Sequence, residues 1–235
     1  MTSSSRPTTT PASRPSPADV GGTIARTVIV PAMVVWSVIV GLGFIVKAID
    51  PAVDPAVNEA LAAARTPAWD QITAVLSGIA TTEVLSATCA VVVLVLWAIT
   101  REWWYAIVPA VSLATQTAIF LTSSLVVGRE RPEVEQLDHS PPTSSFPSGH
   151  TGASTAFYLA LAVCASRLRS TALRWTAWVL CALVPIAVAF ARVYRGMHHP
   201  TDVLGGFAVG IACAWIASRY LARVTHLVGS APVRA

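Results

Sequence analysis

Charge is the scarcest property of this 235-residue chain. Asp, Glu, Lys and Arg make up only 12% of it, against roughly a quarter in a typical soluble domain. Lysine is nearly missing: Lys47 stands alone beside fifteen arginines. Those arginines sit at the ends of apolar segments rather than along one stripe. The net charge of +4 therefore lacks the basic face of a nucleic-acid binder. Cysteine is sparse too. Cys89, Cys164, Cys181 and Cys213 all fall inside apolar runs, with no CxxC and no Cys/His ligand spacing. They read as small buried hydrophobes, with no disulfide framework and no zinc site implied. What is abundant is apolar: 54% hydrophobic residues and a mean hydropathy of +0.62. This balance excludes an ordinary soluble domain. It predicts an all-α, polytopic membrane helix bundle, whose length suits six transmembrane helices of ~20 residues each plus loops.

Residues 1–21, rich in Ser, Thr and Pro, are expected to form a disordered tail. A signal peptide does not fit, because the polar stretch is long and the first apolar run exceeds an h-region. Residues 22–224 then form one domain, followed by a second tail at 225–235. Twenty uncharged residues between Arg26 and Lys47 make the first span. Residues 84–100 make the second, and the run from Trp103 to Gly128 the third, with Trp103, Trp104 and Tyr105 resembling an interfacial aromatic belt. Runs at 151–166, 175–191 and 203–218 complete six. These last are short for spanning alone, and polar ends facing a protein-lined cavity can supply the missing length. Residues 56–80 read either as an amphipathic interfacial helix or as an extension of the second span.

Charge sets the expected orientation. With a cytoplasmic N-terminus, segments 1–26, 100–102, 167–174 and 219–235 lie inside. They hold ten of the 16 basic residues and two of the 12 acids, as the positive-inside rule requires. Both termini are then cytoplasmic. The Arg-rich, Ala-rich composition is that of a GC-rich bacterial genome, which favours the cell membrane.

Three polar islands interrupt the apolar runs, all on the predicted outer face: Gly128–Pro132, Phe146–His150 and Arg192–Asp202. Such groups beside hydrocarbon segments imply a use. Pro147-Ser148-Gly149-His150 precedes a span, so it lies at a helix N-terminus, where free N–H groups and the dipole favour an anion. Gly149 lets an oxyanion approach the backbone. Ser148 either caps the helix or donates to a phosphate oxygen, and His150 is placed to move a proton. In the third island His198 and Asp202 stand four apart and share a face if the turn is helical. A carboxylate on one imidazole nitrogen would expose the other as a base or nucleophile. His199 is a rival at spacing three, and Asp202 as a mere helix cap is the bland alternative. Arg192 would bury a cation unless it meets an anion, or pairs with an Asp. Arg129 and Arg131 form a candidate oxyanion clamp; the plainer alternative is an interface anchor.

Read in order, the islands resemble the signature of the type 2 phosphatidic acid phosphatase family of membrane lipid phosphatases: Lys-x6-Arg-Pro, then Pro-Ser-Gly-His, then Ser-Arg-x5-His-x3-Asp. Arg131-Pro132, the whole of Pro147–His150, and Arg192, His198 and Asp202 match, over about residues 82–224. Two positions depart: Ser124 stands where the family has Lys, and Ala191 where it has Ser. The resemblance implies a phosphatase acting on a lipid phosphate or diphosphate, with His198 the nucleophile, Asp202 orienting it and His150 the acid and base. Arg131, Arg192, Ser148 and Gly149 would hold the phosphate oxygens, and Arg129 would partly replace the missing Lys. It implies no metal or cofactor, a bilayer-borne substrate and a site facing outside. Vanadate-dependent haloperoxidases share this constellation but are soluble. A phospholipid-binding or transport protein with weak or no turnover is the alternative, motivated by Ser124 and Ala191.

The outer-face expectation is checked with a cysteine introduced at Ser140. A membrane-impermeant thiol reagent should label it on intact cells; labelling only after the membrane is opened contradicts it.

Overall fold

The computed structural model describes residue 22 and residues 24–139 and 143–229. The two predicted tails lie outside the described residues, apart from 225–229, which continue the last helix. Among the described residues all regular structure is helical. In chain order the helices are α1 (Ala25–Ile49), α2 (Val53–Ala63), α3 (Pro67–Gly78), α4 (Thr82–Thr100), α5 (Trp103–Ala106), α6 (Val108–Val127), α7 (Gly149–Ala165), α8 (Thr171–Tyr194) and α9 (Pro200–Gly229). Five are long and apolar enough to cross a membrane: α1, α4, α6, α8, and α9 as far as Thr225. The chain is a multi-pass membrane protein. The sixth expected span, α7, has 17 residues, short of one bilayer crossing at 1.5 Å per residue.

The short α7 is the centre of the bundle, packed against α4, α6, α8 and α9. It is built from small residues, with Gly152, Ser154, Ala156, Ala160 and Ala162 all buried. Close backbone approach is how membrane helices associate, because lipid offers no hydrophobic drive between them. The α7–α9 seam is the tightest case: a Cβ placed on Gly210 would stand 2.4 Å from Thr155 Cβ and 2.7 Å from the Gly152 carbonyl. Ser112 Oγ of α6 donates to the Ala156 carbonyl of α7 at 2.8 Å, a polar link inside the same core.

The bundle is apolar outward and partly polar inward, as a lipid-facing protein must be. Met33, Val34, Val38 and Ile45 of α1 are exposed, whereas Ser112, Gln116, Ser123, Ser124, Ser154 and Thr155 are buried. Pro185 sits inside α8, a position membrane helices tolerate. All four cysteines are buried and unpaired.

Residues 56–80 are mostly two short helices, α2 and α3, folded over the polar end of the bundle. The chain breaks at Ile79–Thr81 before α4 begins, so this segment does not lengthen the second span. Its amphipathicity is inverted. Asp54, Asn58, Thr73 and Ser77 are buried while Val53, Trp69, Ile72 and Val75 are exposed. At the far end Glu102 meets Arg167 at 2.6 Å, joining two segments that charge counting assigned to one side.

Substituting Gly210→Ala should force α7 and α9 apart at the Gly152 carbonyl. The expected loss is about 1–3 kcal/mol, read as a lower melting temperature in detergent; an unchanged melting temperature contradicts this seam.

Candidate active site

The loop between α6 and α7 and the turn between α8 and α9 meet at the end of the bundle covered by α2 and α3. Gly196, with φ of 70°, makes the left-handed turn that leaves α8. A Cβ there would lie 2.6 Å from the Glu135 carbonyl, so only glycine fits this turn beside the loop. The chain then passes through His198 into Pro200, the first residue of α9.

His198 is almost fully buried. Its Nδ1 lies 2.8 Å from the Ser145 carbonyl. A carbonyl only accepts, so Nδ1 carries the proton and Nε2 keeps its lone pair. Asp202 Oδ2 is 3.8 Å from Nδ1, beyond hydrogen-bond reach, and acts on the ring as a charge. The direct His198–Asp202 bond expected from the spacing is replaced by a relay. Ser145 Oγ donates to Asp202 Oδ2 at 2.7 Å, and the same residue's carbonyl orients the imidazole. The reason is competition, since both Asp202 oxygens are engaged. Arg129 Nη1 reaches Oδ1 at 2.6 Å and the His199 N–H reaches Oδ2 at 2.8 Å. Burial, with Arg192 and Arg131 adding to it and Asp202 opposing, pushes the His198 pKa down to about 4. The ring is neutral near pH 7.

Arg129 does not serve as the expected clamp. Its guanidinium also bonds Thr201 Oγ1 at 2.8 Å and Asp54 Oδ2 at 2.8 Å. Asp54 and Asp202 are both fully buried, and the pair of carboxylates raises the Arg129 pKa against the opposing effect of burial. Asp54 further accepts the Thr201 N–H at 3.1 Å and the Thr201 hydroxyl, which caps the start of α9. Asn58 Nδ2 donates to the His198 carbonyl at 3.1 Å. Asp54, Asn58, Ser145 and Thr201 escaped the sequence reading. The i, i+4 pair Asp54/Asn58 was the available signal.

The residues that do come together line a cavity of about 300 Å³: Arg131, Gly149, His150, Arg192 and His198. Arg131 is held by the Met197 carbonyl at 2.6 Å and makes no ion pair among the described residues. Arg192 Nη1 reaches Ser77 Oγ at 2.6 Å and Asp138 Oδ2 at 2.7 Å, while its Nε is buried without a partner. Gly149 begins α7, whose start has no side-chain cap, leaving first-turn N–H groups for an anion. A Cβ on Gly149 would stand 2.7 Å from the Phe120 ring. Ser148 is fully buried and is not part of the cavity lining, its Oγ 3.0 Å from Thr151 Oγ1. Ser124, in place of the family Lys, turns its hydroxyl onto the Leu121 carbonyl of its own helix at 3.1 Å. Away from the polar groups the cavity continues along Ala80, Leu85, Leu113, Phe120 and Leu121, between α4 and α6. A second, polar cavity of about 490 Å³ lies beyond Arg131 and takes in Arg129, His199 and Lys47. His199, the rival histidine, faces that one.

A family model described as the PAP2 superfamily matches residues 105–225. The putative undecaprenyl-diphosphatase YbjG of Escherichia coli is 34% identical over 51% of this chain and 59% of its own. Phosphatidylglycerophosphatase B of Bacillus subtilis is 26% identical over 47% of this chain and 55% of its own. The chain thus spans rather more than half the length of these curated relatives. A crystal structure of a transmembrane PAP2 type phosphatidylglycerolphosphate phosphatase from Bacillus subtilis superposes with a TM-score of 0.71 at 19% identity, over 79% of this chain and 93% of that one. A crystal structure of LpxE from Aquifex aeolicus gives 0.56 at 21% identity, over 72% and 96%. At these identities the likeness is one of fold.

A buried imidazole whose pKa falls from an ordinary 6.5 to about 4 binds its proton more readily when unfolded. Stability is therefore lost as pH falls through 6.5 toward 4. His198→Gln should flatten that part of the stability–pH curve, measured by thermal unfolding in detergent; an unchanged slope overturns the neutral-ring assignment.

Proposed function

Because the chain belongs to the PAP2 superfamily, we propose that it is an integral membrane phosphatase that hydrolyses a lipid phosphate or diphosphate. The observation that carries the reading is the cavity itself. One end presents two histidines, two arginines with donors to offer and an uncapped helix N-terminus. The other is lined by Leu85, Leu113, Phe120 and Leu121. A substrate with an anionic head and a hydrocarbon tail has this division. Isoprenoid diphosphates, phosphatidic acid and phosphatidylglycerol phosphate are the candidate substrates.

In the proposed reaction the lone pair on His198 Nε2 attacks the terminal phosphorus, and the bond from that phosphorus to the leaving oxygen breaks, the ester oxygen in a monophosphate or the bridging oxygen in a diphosphate. His150, which takes up a proton beside the anionic substrate, gives that proton to the leaving oxygen. The phosphohistidine is then opened by water, which passes a proton to His150 as its oxygen bonds phosphorus, releasing inorganic phosphate. Arg131, Arg192 and the N–H groups at the start of α7 stabilise the charge on the equatorial oxygens. Asp202 orients the nucleophile one step removed, through Ser145. Gly149 supports close approach of the anion to the backbone, and Ser148 shapes that helix start from below.

The six-span topology, counting α7 as a span, belongs to this proposal, with both termini in the cytoplasm and the cavity at the outer face of the cell membrane. The charge asymmetry along the chain supports it. Binding without turnover is the second reading. What favours it is Ser124, which withdraws from the site the cation that the family signature places there.

Purified protein is expected to release phosphate from at least one of these lipids, with the rate unchanged by a chelator. His198→Ala should lower kcat on the order of a thousandfold or more. Release that survives His198→Ala would falsify the phosphohistidine route; no release from any lipid, with binding retained, leaves the non-catalytic reading.

A further inference from the structure

Arg192 is the most deeply set cation facing the cavity, and something must hold it. It belongs to the last turn of α8 and is almost fully buried. Among the described residues both of its hydrogen bonds fall on Nη1, from which one N–H goes to Ser77 Oγ of α3 and one to Asp138 Oδ2 of the α6–α7 loop. Its Nε, on the other edge of the guanidinium, is buried with no partner. A guanidinium binds phosphate best through such an edge, with two parallel N–H groups. The side chain is thus clamped along one edge while the other stays unmatched.

Asp138 is itself fixed from two directions. Ser77 Oγ donates to its Oδ2 at 3.0 Å. Arg195 Nε and Nη2 converge on Oδ1 at 2.8 and 2.7 Å. Arg195 in turn bonds the Asp70 carbonyl at 3.0 Å, Thr73 Oγ1 at 3.3 Å and the Leu137 carbonyl at 2.8 Å. The Leu137 N–H returns to the Arg195 carbonyl at 3.0 Å. Burial alone would raise the Asp138 carboxyl, but Arg195 and Arg192 outweigh it and hold it below the ordinary carboxylate range. Every guanidinium nitrogen of Arg195 is engaged by protein, so that arginine anchors Asp138.

We propose that Asp138 is a positioning residue for the phosphate site: anchored by Arg195 and Ser77, its carboxylate fixes the Nη1 edge of Arg192 and so aims the Nε edge at the substrate phosphate. Asp138 touches no reacting atom. It also neutralises part of the charge that three clustered arginines would otherwise concentrate there. The proposal rests on reading the cavity as a phosphate site. It differs from a blocking role, in which the carboxylate would compete with the substrate and its removal would speed the reaction.

The test compares wild type with Asp138→Asn, Asp138→Ala and Ser77→Ala, purified in detergent, with thermal unfolding as the folding control. Orthovanadate affinity is the first readout, because it needs no turnover. Asp138→Asn should weaken it on the order of tenfold to a hundredfold, the value of hydrogen bonds to a charged group. Ser77→Ala should weaken it in the same direction by less. On a lipid phosphate that wild type hydrolyses, kcat should fall more than KM rises. Added formate should restore part of the Asp138→Ala loss, which a merely structural role would not allow. In an Arg192→Lys background Asp138→Asn should cost little more. A folded Asp138→Asn protein that binds orthovanadate as wild type does, or more tightly, overturns the proposal. If Asp138→Asn fails to fold, unchanged vanadate affinity in Ser77→Ala overturns it instead. Absence of lipid hydrolysis by wild type would count against the phosphatase reading, while vanadate affinity alone still decides the role of Asp138.

Discussion

The polar end of this bundle depends on one buried guanidinium held between two buried carboxylates. Arg129 contacts Asp54 and Asp202, each through a hydrogen-bonded ion pair of 2.8 Å or less. None of these three charges could be buried alone, since an unpaired ion in a low-dielectric setting costs several kcal/mol or more. Together they tie α2, the α6–α7 loop and the start of α9 into one unit. The remaining negative charge sits at the N-terminus of α9, where the helix dipole and the His199 and Thr201 N–H groups meet it. The geometry of His198 follows from this arrangement. Asp202 cannot also bond the imidazole, so Ser145 carries the orientation instead.

That constraint explains why α2 and α3 are present. A membrane bundle with a polar cavity at one end needs a cover whose inner face is polar. Asp54, Asn58, Thr73 and Ser77 supply it, and Val53, Trp69, Ile72 and Val75 are turned outward and exposed. In a soluble helix the same pattern would mean an apolar face against a core. Here the sense is reversed: the polar side chains turn inward over the cavity end and the apolar ones outward.

Much of this was legible in the sequence, and the failures share a cause. Charge-free runs located the long helices, and motif spacing found Arg131, Gly149, His150, Arg192 and His198, which line a single cavity. Residue type and spacing do not say which way a side chain turns. Arg129 and Arg131 are two apart in one loop, yet one joins the carboxylates and the other faces the cavity. Asp202 stands at the expected spacing from His198 but is claimed by stronger partners. The α2–α3 contributions were hidden because they come from more than 50 residues away in sequence, brought in by long-range bonds such as Asn58 to His198. Helix edges shifted as well: α8 and α9 extend past their apolar runs, and at the cavity end Arg192, Tyr194 and Asp202 are satisfied by protein partners.

Four of the five arginines at this end, all but Arg65 on the Glu135 and Tyr194 carbonyls, separate by the partners of their donors. Arg129 and Arg195 have carboxylates on them and further bonds to hydroxyls or carbonyls, so they are structural ions. Arg131 has only carbonyl and hydroxyl partners, at distances from 2.6 to 3.5 Å. Arg192 has one edge fixed and one nitrogen buried with nothing to bond. An unsatisfied buried donor carries a desolvation cost of about 1–3 kcal/mol, and folding alone gives no reason to keep it. An incoming phosphate oxygen would remove that cost at the moment of binding. The same arithmetic bears on the missing lysine. With Ser124 turned onto its own helix, Arg131 and Arg192 carry the positive charge at the cavity, so the rigidity of their supports matters more here than in a site with a third cation.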